Sequence, residues 1–172
     1  MFIILSNRTQ AMTAASTFGR LQEAFPAWES IGEHACDDIA RLLKPAGMAR
    51  LKARQIVSIV SILKQRFGSA TLEPLREMAD REVEDFLCSL PGVAKKVAKC
   101  VAMYSLDRDV LPVDVHVHRL ASRLGFTVKK RPDTSQDLIE AATPPDLRYG
   151  FHVNAVAHGR AVCLPRNPRC HS

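Results

Sequence analysis

Leu90-Pro91-Gly92-Val93-Ala94-Lys95-Lys96-Val97-Ala98-Lys99, followed further along by Pro112-Val113-Asp114-Val115-His116-Val117-His118-Arg119, decides how the rest of the chain is read. The Pro-Gly pair stops one helix and launches another, because proline removes a backbone donor and glycine enters the left-handed region without steric cost. Three lysines then crowd the first two turns of the new helix with no acid beside them. A helix N-terminus carries partial positive charge, so cations are disfavoured there, and Lys95 and Lys99 repel at i,i+4 by roughly a few tenths of a kcal/mol. Local rules are broken mostly at functional sites, and a bound polyanion relieves both conflicts. A solvated basic helix end is the alternative that the local pattern leaves open.

Outward from this turn the pattern is helical. Ile56, Ile59, Val60, Leu63 and Phe67 recur at helical spacing before Gly68. Val97, Cys100, Val101 and Tyr104 do so after the Pro-Gly turn, and Val117, Leu120, Ala121 and Leu124 before Gly125. No stretch alternates with period two between hairpin turns, and Pro26, Pro45, Pro74, Pro91, Pro112, Pro132 and the Pro144-Pro145 pair separate the helices. The expectation is an all-α fold of about eight or nine helices, with the paired helices of the motif near 82–105. It forms one domain over 1–172, with neither internal repeat nor low-complexity linker. Lys129-Lys130-Arg131 reads as a solvated loop.

A chain of 172 residues with 47% hydrophobic content is long enough for one substantial core. Lys and Arg outnumber Asp and Glu 24 to 18, a formal net charge of +6, which suits an anionic partner without identifying it. Met1 to Ser6 is apolar but lacks a basic n-region and is too short for a signal peptide or a membrane span, so no secretion and no membrane are expected. Five cysteines, at 36, 88, 100, 163 and 170, are an odd and scattered set. They argue for reduced thiols rather than a secreted disulfide framework, with Cys36, Cys88 and Cys100 read as buried thiols.

Leu-Pro-Gly-Val-x-x-Lys, with a carboxylate eighteen positions after Lys96 in Val-Asp-Val-His-Val-His-Arg, resembles the endonuclease III-like helix-hairpin-helix DNA glycosylases and AP lyases of the HhH-GPD superfamily. Ile4-Leu5-Ser6-Asn7-Arg8-Thr9-Gln10, Gly47 to Ile56, and His158-Gly159-Arg160 with Cys163 and Cys170 follow in family order, so the resemblance covers nearly the whole chain. It implies a multi-helix glycosylase fold, here truncated at both ends.

The resemblance implies that Lys96 is the nucleophilic amine. A helix N-terminus and the cations Lys95 and Lys99 favour its unprotonated form, which can attack the sugar C1′, form a Schiff base and permit β-elimination. A phosphate contact alone is the other role open to Lys96. Asp114 is an N-cap on local grounds, and in the family the matching carboxylate also faces the pocket, where it stabilises a cationic sugar. His116 supports the site or contacts backbone phosphate; His118 points elsewhere on the helix, so the two do not form a same-face metal pair. Leu90, Gly92 and Ala94 supply the hairpin that offers amides to a phosphate, with Lys95, Lys99 and Arg160 as further DNA contacts. Ala94 replaces the family's second glycine, which strains the hairpin if that position needs a positive φ. Arg8 is the plug for the space left by an extruded base, or a plain phosphate contact. Ile3 stands where adenine-removing relatives carry a glutamate acid.

Cys163 and Cys170 match the first two ligands of the family's 4Fe–4S loop, a remnant at 159–172, but such a cluster needs four thiolates, so it is expected to be absent or incomplete. The function expected is base-excision repair: a monomeric, cytoplasmic, nucleoid-associated enzyme removing damaged pyrimidine-type bases from duplex DNA and cleaving abasic sites. The rivals are a non-catalytic helix-hairpin-helix DNA-binding module and a monofunctional glycosylase using Asp114 and water.

Overall fold

The computed structural model describes residues 1–6 and 9–169, and the chain divides into two compact units, Met1–Val93 and Ala94–Ser172. Among the described residues every regular element is helical. The first unit holds α1 (Phe2–Ser6), α2 (Ala11–Ala24), α3 (Cys36–Leu42), α4 (Ala49–Phe67) and α5 (Asp80–Ser89). The second holds α6 (Lys95–Leu106), α7 (Val115–Arg123), α8 (Pro132–Ala141) and α9 (Pro145–Ala161). No helix among the described residues is long and apolar enough to cross a membrane.

In the first unit, α4 buries Ile56, Ile59, Val60 and Leu63, the stripe read from the sequence, and packs against α3. Leu5, Leu21, Ile31, Ile39 and Leu43 complete the core around it. Gly68 closes the helix in the left-handed region, its N–H reaching the Lys64 carbonyl at 2.9 Å. Lys52 is 2% exposed in this apolar setting. Its Nζ donates to the Leu5 carbonyl at 3.0 Å, the Ala46 carbonyl at 3.0 Å and Thr9 Oγ1 at 2.8 Å, so each ammonium hydrogen has an acceptor. Burial pushes its pKa down.

After α5, the Leu90 side chain is buried and Val93 N–H closes the turn onto the Leu90 carbonyl at 3.1 Å. Gly92 adopts φ +79°, and the Gln55 side chain fills the place a Cβ would take. Ala94 lies at φ −87°, ψ 167°, ordinary extended backbone. The condition under which Ala94 would strain the turn is therefore not met: the left-handed residue is Gly92.

The second unit is built on Leu111, Val113, Val117, Ala121, Ile139 and Ala155. Pro132 and Pro145 each open a helix at its first position, where a missing N–H costs nothing. α7 packs on both α8 and α9. Lys129, Lys130 and Arg131 are exposed, as read from the sequence, and Arg131 pairs with Asp133 across the start of α8.

Candidate active site

The three lysines of the motif and Asp114 lie together in the second unit. α6 starts at Lys95 with no side-chain cap, and Val97 and Ala98 N–H both turn back to the Ala94 carbonyl, at 2.8 and 3.0 Å. The three lysines then part ways. Lys95 is half-buried and pairs with Asp137 at 2.6 Å. Lys96 is exposed. Lys99 is 9% exposed and meets Glu140 at 2.9 Å.

The expectation that Lys99 contacts DNA is corrected by this placement. Its ammonium sits inside the unit against a carboxylate, and the acids missing from its own neighbourhood in the sequence arrive from α8. Leu90 is corrected likewise: its side chain is core and its N–H is spent on the Leu87 carbonyl at 3.2 Å, leaving no donor for a phosphate. Among the described residues, the amides of Gly92 and Ala94 have no such internal acceptor.

Asp114 is the N-cap of α7. Its Oδ1 accepts from His116 N–H at 2.8 Å and Val117 N–H at 2.9 Å, so the carboxylate orientation is fixed by the helix it starts. His116 is half-buried and its Nδ1 lies 3.0 Å from Arg119 Nη2. Arg119 in turn donates to the Gly159 carbonyl and the Cys163 carbonyl, both at 2.7 Å. That chain ties α7 to the end of α9. Arg160, on the last turn of α9, is exposed.

Beneath Lys96 the same face of α6 carries Cys100 and Tyr104, one and two turns on. Cys100 is buried, and burial pushes its thiol pKa up; Lys96 acts against that rise and the Asp114 charge adds to it. Tyr104 meets Tyr149 and His152 edge-on, at centroid distances of 6.1 and 5.9 Å. Its phenol is also held above its usual range, by burial first and then by Cys100, Tyr149 and Asp114. His152 is buried and lies 2.8 Å from the Pro112 carbonyl through Nδ1. A carbonyl only accepts, so Nδ1 carries the proton. Burial lowers the His152 pKa, with Lys96 acting in the same direction and Asp114 against it.

Lys96 and Asp114 thus each bear on both Cys100 and His152 within one unit. The sequence pattern marks Cys100 only as an ordinary buried thiol, and it singles out neither Tyr104 nor His152 for the site. For the first two, the i+4 and i+8 spacing from Lys96 is the available signal. Cys36 is half-buried and Cys88 exposed, against the expectation that both are buried.

Cys163 is buried, with Arg123 Nη1 2.8 Å from its Sγ. Cys170 and Arg8 lie outside the described residues. Among the described residues no group of three or more His, Cys, Asp or Glu stands together to hold a metal ion.

The sequence matches the family described as HhH-GPD superfamily base excision DNA repair protein over residues 1–145. Endonuclease III of Thermotoga maritima is 31% identical over 167 residues, covering 97% of this chain and 74% of that protein. Endonuclease III-like protein 1 of Mus musculus is 32% identical over 173 positions, covering 98% of this chain and 54% of the mouse protein. A solved structure described as a trapped endonuclease III–DNA covalent intermediate superposes with a TM-score of 0.82 at 22% identity, over 99% of this chain and 76% of that one, a likeness of fold.

Proposed function

Because this chain belongs to the HhH-GPD superfamily of base excision DNA repair proteins, we propose that it removes damaged pyrimidine-type bases from duplex DNA and cleaves the abasic site through a Schiff base on Lys96. The observation that carries the proposal is an exposed amine on the first turn of α6 and, in the same unit, a carboxylate whose orientation is fixed by the helix it caps: Lys96 and Asp114. That a relative is described in a trapped covalent complex with DNA supports the same chemistry here.

In the proposed reaction Lys96 Nζ attacks C1′ of an extruded nucleotide, and the bond to the base breaks as the N–C1′ bond forms. Asp114 stabilises the positive charge that builds on the sugar and takes the proton shed by the amine. The proton taken by Asp114 passes to the ring oxygen as the C1′–O4′ bond breaks, giving the protonated imine; this acidifies the C2′ hydrogen, whose transfer to the regenerated carboxylate expels the 3′ phosphate. On a site already abasic, the amine condenses with the aldehyde and releases water before the same elimination. Duplex DNA is held in this proposal by the Gly92 and Ala94 amides, Lys95, Arg160 and Arg8, with His116 fixed by Arg119 to support the site.

Lys95 is compatible with that role because a partly exposed ion pair such as Lys95–Asp137 is worth only about 0–1 kcal/mol and exchanges readily for phosphate. The test is borohydride trapping on an abasic duplex. Wild type is expected to form a covalent adduct and nick the strand, and Lys96→Ala to do neither while retaining DNA affinity. Undiminished trapping by Lys96→Ala assigns the chemistry to another amine. Binding that is insensitive to salt, instead of falling with a slope of about −0.9 per phosphate contact, removes the DNA reading.

A further inference from the structure

We propose that Lys99 and Glu140, together with Gln136 and His152, are positioning residues that hold Asp114 at a fixed separation from Lys96. The proposal rests on the lyase chemistry proposed for those two residues and adds four side chains to it.

Asp114 hangs from an extended tract, Leu111-Pro112-Val113, that joins α6 to α7 outside any helix. Buried side chains satisfy that tract almost completely. Leu111 N–H donates to Glu140 Oε1 at 3.0 Å, and Gln136 Nε2 donates to the Leu111 carbonyl at 2.6 Å. His152 Nδ1–H donates to the Pro112 carbonyl at 2.8 Å, and Val113 N–H donates to Gln136 Oε1 at 2.9 Å. Pro112 has no N–H to offer. The backbone entering Asp114 is therefore fixed by α8 and α9, while α7 fixes its carboxylate through the cap.

The second half of the clamp is the ion pair of Glu140 with Lys99, whose Nζ lies 3.1 Å from Oε1 and 2.9 Å from Oε2. Lys99 lies three residues beyond Lys96 on α6. One carboxylate thus joins the helix that carries the amine to the segment that carries the acid, its Oε1 accepting from both Lys99 Nζ and Leu111 N–H. Arg148 steadies the same corner, donating to the Glu140 backbone carbonyl at 3.1 Å and to the Asp109 carbonyl at 2.6 Å.

Stability alone is a poor reason for such a pair. Burying an ammonium and a carboxylate costs desolvation that their attraction offsets only with good geometry, and apolar replacements of similar volume are often neutral or stabilising. What a directional ion pair supplies, and an apolar contact does not, is a defined distance, and misplacing reacting groups by about 1 Å costs up to about 100-fold in rate.

The test uses the full chain carrying Lys99→Met with Glu140→Gln. This removes both charges together, and the amide oxygen introduced by Glu140→Gln still accepts from Leu111 N–H. Its thermal midpoint and its affinity for abasic duplex are expected to stay near wild type, while the single-turnover rate of borohydride-trappable adduct formation falls by about 10-fold or more. Glu140→Asp keeps the charge but shortens the arm; it is expected to fold and to slow the adduct by about 3-fold. Lys99→Arg, which keeps a cation opposite Glu140, is expected to retain more of the rate than the double variant.

A double variant with the wild-type adduct rate overturns the proposal. So does one whose rate falls only in step with its thermal midpoint, and if it fails to fold, Glu140→Asp at wild-type rate does the same. A wild type that forms no adduct at all overturns the lyase reading itself, which the Lys96→Ala control identifies separately.

Discussion

Gly159 of α9 passes so close to His116 of α7 that a Cβ added at 159 would stand 2.8 Å from the histidine Cβ and 2.9 Å from its Nδ1. In an exposed helix interior, glycine to alanine gains about 0.5–1 kcal/mol. At 159 contact decides the sign, because the atoms met include the His116 Cβ, which moves only with its backbone. Gly159→Ala is expected to destabilise by about 1–3 kcal/mol and to displace His116 and Arg119, slowing base removal. Gly150→Ala is the internal control: it lies on the same helix with nothing within 4 Å of its Cβ and is expected to raise stability by about 0.5–1 kcal/mol. Chemical denaturation of the two variants decides this, and a stabilised Gly159→Ala contradicts the packing argument.

Asp114 does two separable things. As a cap it needs an acceptor oxygen, which asparagine also offers; as an electrostatic partner of Lys96 it needs a charge. Asp114→Asn is expected to keep the thermal midpoint within about a degree or two while slowing base excision more than abasic-site nicking, because only excision builds cationic character at the sugar before the base leaves. Asp114→Ala is expected to lose about 1 kcal/mol of stability in addition. Equal losses in both chemical steps for Asp114→Asn refute this division.

Lys52 is a buried cation of the first unit, and Lys52→Met removes the donor that the Leu5 carbonyl, the Ala46 carbonyl and Thr9 Oγ1 share. The expected cost is about 2–4 kcal/mol. Burial lowers the native pKa of Lys52, so the unfolded chain holds this proton more tightly. Stability from this group therefore rises with pH between the lowered native value and 10.5, and is lost as pH falls through that window. Unfolding free energies measured from pH 8 to 10.5 are expected to show that rise in wild type and a smaller one in Lys52→Met; parallel curves exclude it.

Local chemistry made much of this legible. The stripe from Ile56 to Leu63 ends at a left-handed Gly68, Pro132 and Pro145 open helices at their first positions, and Asp114 caps α7, because each depends on residues a few positions apart. The clamp was not legible. Glu140 meets Lys99 across 41 residues and Gln136 meets Val113 across 23, and a polar pairing at such separation leaves no periodic mark in a sequence. For the same reason the sequence offers Lys99 as a DNA contact, since its acid is remote in the chain. At the hairpin the sequence left open which position needs a positive φ; that requirement falls on Gly92 and leaves Ala94 unstrained.

His152 provides a pH signature of the site region. Its native pKa is held below 6.5, chiefly by burial, with Lys96 lowering it and Asp114 and the Pro112 carbonyl opposing. The imidazole is therefore neutral in the fold when an unfolded chain would already take up a proton. Stability from this group is present above pH 6.5 and is lost as pH falls from 6.5 toward the lowered native value, by up to about 1.4 kcal/mol per pH unit. His152→Gln keeps a donor for the Pro112 carbonyl and does not titrate. Between pH 7.5 and 5.5, wild type is thus expected to lose more unfolding free energy than His152→Gln, with carboxylate contributions cancelling in the difference. Equal losses in the two proteins mean that His152 is not held neutral by burial, and the tautomer assigned from its bond to Pro112 then no longer fixes the lone pair on Nε2.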